Sequence, residues 1–133
     1  MLSIKILVIT GDKQSAKLFE EILAPFYHLK IVPTGEEALT TATRFLPDII
    51  LLDRELPGMS GDAVGKQISE DADLQPVKIV MISQQTSQED IREGFFSGAD
   101  YYLTKPLDRE QLLALIERII NARVSDPVRN RYF

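Results

Sequence analysis

Ile49, Ile50, Leu51 and Leu52 form an unbroken apolar run with a carboxylate, Asp53, directly behind it. Successive side chains of a strand point to opposite faces, so a strand built from this run has no face suited to water. Only a sheet covered on both sides accommodates it, and parallel sheets flanked by helices are covered in that way. The rest of the chain repeats the demand. Short apolar runs at 4–9, 29–32, 48–52, 77–82 and 101–103 alternate with longer segments of helical period. The alternation predicts βαβ units and a five-stranded parallel sheet with helices on both faces.

After the first run, Leu18, Phe19, Ile22, Leu23 and Phe26 fall at helical spacing, with Pro25 fraying the last turn. A second helix is expected over 36–45, with Thr34 as N-cap and Pro47 beyond its end. Leu56-Pro57-Gly58-Met59-Ser60-Gly61 reads as a loop, followed by a weaker helix over 62–70. A helix over 89–96 closes at Gly98. The last begins at Asp108 and carries Leu112, Leu115, Ile116, Ile119 and Ile120. The expected organisation is one domain over 1–123. Residues 124–133, with Pro127, Arg129, Arg131, Tyr132 and Phe133, read as a tail or the start of a linker.

Composition removes several classes of function. With no cysteine in 133 residues, disulfides, thiolate zinc sites and thiol catalysis are excluded. A net charge of −5 argues against direct nucleic-acid binding and against a membrane surface. No apolar run is long enough to span a bilayer and the amino terminus has no signal segment, so a cytoplasmic location is expected. The single histidine, His28, lies between a helix and a strand, where a structural role is expected.

In an open α/β sheet, ligands bind outside the carboxyl ends of the strands, near the point where strand order reverses. Asp53, Ser83 and Lys105 stand just past the third, fourth and fifth runs and would converge there. A carboxylate can attack phosphorus, a hydroxyl can donate to a phosphoryl oxygen, and an ammonium can neutralise it. Such transfer normally leans on Mg2+, which takes carboxylate oxygens. The first run ends instead in Thr10 and Gly11, a hydroxyl and no side chain. Asp53, Asp12 and Glu55 are left as the candidate ligands of a weakened metal site. Pro106 after Lys105 suggests a tight turn and is a candidate cis proline.

Three stretches carry a family pattern. They are Pro47-Asp48-Ile49-Ile50-Leu51-Leu52-Asp53 with the loop that follows, Ser83 after the fourth run, and Gly98-Ala99-Asp100-Tyr101-Tyr102-Leu103-Thr104-Lys105-Pro106. Together they resemble the receiver domains of bacterial two-component response regulators, over about Ile4 to Arg123. The resemblance implies a flavodoxin-like (CheY-like) doubly wound sheet of order 2-1-3-4-5. It implies that Asp53 is the phosphoacceptor, that Ser83 and Lys105 are the switch hydroxyl and lysine, and that Tyr102 is the switch aromatic. It also implies a place in a phosphorelay rather than independent catalysis. A histidine kinase or phosphotransfer protein would supply the phosphoryl group. The face of helix four, strand five and helix five would then change its preference for an output domain, a partner protein or a second copy.

Two departures stand out. The family's paired acids fall on Thr10 and Gly11, and the small residue usual after the switch hydroxyl is Gln84. They raise an alternative, a degenerate receiver that binds partners without phosphorylation while Asp53 pairs permanently with Lys105. Asp53-Arg54-Glu55 is also faintly similar to the acidic pair of haloacid-dehalogenase-type phosphatases. There the pair follows the first strand, whereas here it follows the third.

Overall fold

The computed structural model describes residues 3–125. Five strands, β1 (Lys5–Ile9), β2 (His28–Val32), β3 (Ile49–Asp53), β4 (Lys78–Ser83) and β5 (Tyr101–Thr104), form one parallel sheet. Their order is β2-β1-β3-β4-β5, as the family resemblance implies. Five helices accompany them: α1 (Lys13–Leu23), α2 (Gly35–Phe45), α3 (Gly61–Glu70), α4 (Gln88–Phe96) and α5 (Arg109–Ser125). The helix starts follow local chemistry. Asp12, Thr34, Ser60, Ser87 and Asp108 each accept backbone N–H groups of the first turn with their side-chain oxygens.

The strand period of two sorts the core into two layers. Leu7, Ile9, Ile50, Leu52, Ile79 and Met81 pack under α2 and α3, against Ala38, Ala42, Phe45, Val64 and Ile68. Ile6, Val8, Ile49, Leu51, Val80 and Ile82 face α1 and α5, against Phe19, Ile22, Leu23, Leu112, Ile116 and Ile119. The four apolar residues of β3 are essentially fully buried. Burying each contributes about 1.5–3 kcal/mol relative to leaving it exposed, which fixes β3 at the centre of the sheet.

The structure corrects several details. Asp53 and Ser83 are the last residues of β3 and β4 rather than residues just past them. The ladder extends because Arg54 N–H donates to the Ile82 carbonyl and Lys105 N–H to the Ser83 carbonyl. Phe26 does not join the buried face: α1 ends at Leu23 ahead of Pro25, and Phe26 is 61% exposed. A 3-10 turn over Ala72–Leu74, which carries no periodic signal, precedes β4. Helix α5 continues to Ser125, beyond the boundary expected at Arg123, and the tail expected over 124–133 lies outside the described residues from 126 onward. Among the described residues, no helix is long and apolar enough to cross a membrane.

Candidate functional site

β3 delivers Asp53 to the carboxyl edge of the sheet, and although charged it is only 6% exposed. Three donors hold it. Thr10, next after β1, donates its hydroxyl to Oδ2 at 3.2 Å. The Glu55 N–H donates to Oδ1 at 3.0 Å, and Lys105 Nζ donates to the same oxygen at 2.9 Å. Lys105 follows β5, and its peptide bond to Pro106 is cis. Desolvation works against the lysine's charge. The hydrogen bond and the charge of Asp53, helped by Glu55, outweigh it and hold Lys105 above the ordinary lysine range.

Glu55 turns back toward the same edge. Ser83 Oγ donates to its Oε2 at 2.6 Å, the Gln84 N–H donates to its Oε1 at 3.0 Å, and Lys105 Nζ reaches Oε1 at 3.4 Å. Burial pushes this carboxyl up. The hydrogen bonds from Ser83 and Gln84, with the charge of Lys105, more than offset that and leave it below the ordinary carboxylate range. Ser83 is fully buried and also accepts the Gln85 N–H at 2.9 Å.

Tyr102 is tied to this group by way of Gln85, whose carbonyl accepts the Tyr102 hydroxyl proton at 2.7 Å. The Tyr102 oxygen in turn accepts from Arg54 Nη1 at 3.2 Å. Arg54 has a side chain only 7% exposed, pairs with both oxygens of Asp62 at 2.7 and 3.0 Å, and donates to the Asp90 carbonyl at 2.7 Å. It thus joins the end of β3 to α3, α4 and β5. Sequence reasoning missed this role. The only cue is a charged residue directly after a fully buried strand, and such a residue is ordinarily solvated.

Asp53, Lys105, Ser83 and Tyr102, predicted as one set, are brought to one edge, although Ser83 engages Glu55 rather than Asp53. A cleft of about 310 Å³ opens beside Asp53, with Asp12, Leu18, Gln84, Lys105 and Leu107 among its walls. Asp12 is spent elsewhere. Its oxygens cap α1, accepting from the Gln14 and Ser15 N–H groups and from the Ser15 hydroxyl at 2.7 Å. The Ser15 hydroxyl is the main reason its carboxyl lies below the ordinary range.

The model of the response regulator receiver domain family matches residues 6–117. Response regulator PleD of Caulobacter vibrioides is 34% identical over 132 residues, covering 98% of this chain. The chain spans only 29% of the length of that relative. Among solved structures, the chemotaxis response regulator CheY4 of Vibrio cholerae superposes with a TM-score of 0.83 at 27% identity, over 89% of this chain and 99% of that one. The receiver domain of sensor histidine kinase PA1611 from Pseudomonas aeruginosa, solved with a magnesium ion coordinated in its active site cleft, gives 0.82 at 26% identity, over 90% and 99%. The chain belongs to the response regulator receiver domain family and is a regulatory module of two-component signalling.

The carboxylates predicted to hold magnesium, Asp53, Asp12 and Glu55, do not assemble into a metal seat. Asp53 is engaged by Thr10, Glu55 N–H and Lys105, Asp12 by the cap of α1, and Glu55 by Ser83 and Gln84. Among the described residues, no group of three His, Cys, Asp or Glu side chains is arranged to hold a metal ion. An acid at position 11 would not fit as the backbone stands, because a Cβ on Gly11 would lie 2.9 Å from Pro57 Cδ. As arranged, the residues do not fit a magnesium ion.

Proposed function

We propose that Asp53 is the phosphoacceptor of this receiver, with Lys105 as the resident cation and Ser83 and Tyr102 as the elements that respond. The observation that carries the reading is the buried Asp53 carboxylate, 2.9 Å from Lys105 Nζ and facing an open cleft. In the reaction a carboxylate oxygen attacks the phosphorus of a phosphohistidine on a histidine kinase or phosphotransfer protein. The P–O bond forms, the P–N bond breaks, and the departing imidazole takes up a proton. Lys105 offsets the negative charge that arrives. Movement of Ser83 toward the phosphoryl group would pull on Gln85, and through its carbonyl on Tyr102 and the surface of α4, β5 and α5. An output domain or a separate protein in the cytoplasm would read that surface.

Incubation with a small acyl phosphate, followed by intact mass spectrometry, tests the assignment. The wild-type chain gains the mass of one phosphoryl group, and Asp53→Asn gains none. Label that persists in Asp53→Asn, or wild-type chain that never takes label, counts against Asp53. The second case would favour the phosphorylation-independent module, whose supporting observation is the pairing of Asp53 with Lys105 in place of a metal seat.

A further inference from the structure

We propose that the Glu55 carboxylate is a resident anion in the phosphoryl seat, competing with the group that Asp53 would carry and holding the switch residues in place of it. The competition deepens the reading of Asp53 as acceptor and rests on it for its biological meaning. Three donors converge on the two oxygens of Glu55: the Ser83 hydroxyl at 2.6 Å, the Gln84 N–H at 3.0 Å and Lys105 Nζ at 3.4 Å. A hydroxyl, a backbone amide and an ammonium are the donors that bind a phosphoryl oxygen, and here they are already committed. Ser83 has one hydroxyl proton and Gln84 one N–H, so neither can serve Glu55 and a phosphoryl group together. Lys105 keeps protons to spare, but a carboxylate left beside a phosphoryl dianion adds like-charge repulsion.

The hydrogen bonds continue outward from this anion. Ser83 accepts from Gln85, Gln85 accepts from Tyr102, and Tyr102 accepts from Arg54, the residue immediately before Glu55. The chain of bonds closes on itself, beginning at position 55 and ending at position 54. Tyr102 is half-buried, close enough to Gly94 that a Cβ there would sit 2.9 Å from its ring. Glu55 supplies the negative charge that a phosphoryl group would otherwise bring to Ser83, and Ser83 is the link to Tyr102.

The test compares the wild-type chain with Glu55→Ala and the isosteric Glu55→Gln by backbone and aromatic NMR, each titrated with inorganic phosphate. Removing the carboxylate is expected to shift the Gln84 and Gln85 amides and the Tyr102 ring signals. Phosphate should bind Glu55→Ala about 10- to 100-fold more tightly, the range that hydrogen bonds to a charged group represent. Glu55→Gln, which keeps an acceptor without the charge, should fall between. Coincident Gln84 and Gln85 amides in wild type and Glu55→Ala would overturn the proposal, as would equal phosphate affinity. Neither readout involves covalent transfer. A chain that takes no phosphoryl group onto Asp53 defeats the acceptor assignment without touching these two measurements.

Discussion

Glu55 also sets how the site responds to acid. Burial raises its pKa, but Ser83, Gln84 and Lys105 together bring it below the ordinary 4.5. A carboxyl depressed in the folded state adds stability that is present above its unfolded value and lost as pH falls through the folded value. Wild type should therefore lose unfolding free energy on acidification below about pH 4.5, and Glu55→Gln should show a shallower acid limb in urea unfolding across that window. Lys105 has the opposite sign. Its raised pKa gives stability that is intact at neutral pH and lost only as pH climbs past 10.5 through the folded value. Asp53 and Lys105 were legible in the sequence because strand ends dictate where they lie. Glu55 was read as a metal ligand because sequence does not say which way a loop side chain turns. That is decided by the donors Ser83 and Gln84, 28 and 29 residues away.

Helix α4 and strand β5 meet at Gly94. A Cβ there would lie 2.9 Å from Tyr102 Cε2 and 3.2 Å from Met81 Sδ, so the ring's half-buried position depends on the missing side chain. Gly94→Ala should push Tyr102 outward, weakening the NOEs between the Tyr102 and Phe95 rings, whose centroids lie 6.3 Å apart. Overpacking of this kind costs about 1–3 kcal/mol, measurable by urea unfolding. Unchanged ring contacts would mean that α4 moves instead, with Arg54 giving up the Asp90 carbonyl. At this scale the sequence was most informative. Short unbroken apolar runs located the five strands, and helical spacing with cap, Pro and Gly signals located the five helices, because each element buries one stripe or both faces. Its errors fell at element ends and in a turn without periodicity. Pro25 and the turn after Leu23 put Phe26 into solvent, and the aperiodic Ala72–Leu74 turn left no pattern to detect.

For the molecule as a whole, the question is which cation serves the acidic edge of the sheet. A ligand that binds only the folded state stabilises it by an amount set by concentration and affinity. A site with a dissociation constant of about 1 mM would add about 1.4 kcal/mol at about 10 mM magnesium. For a domain of this size that is a shift of several degrees in Tm. The arrangement of Asp53, Asp12 and Glu55 leads to the opposite expectation. Calorimetry in EDTA and in about 10 mM magnesium chloride, matched in ionic strength because surface charge pairs are salt-sensitive, should give the same Tm. The reason is that each carboxylate would have to abandon a present partner before it could join a metal shell. For Asp12 the partner is the first turn of α1, for Glu55 it is Ser83, and for Asp53 it is Thr10 or Lys105. A rise of several degrees would show that those exchanges occur and that the switch is metal-driven despite Thr10 and Gly11. An unchanged Tm leaves Lys105 as the charge against which Asp53 is balanced.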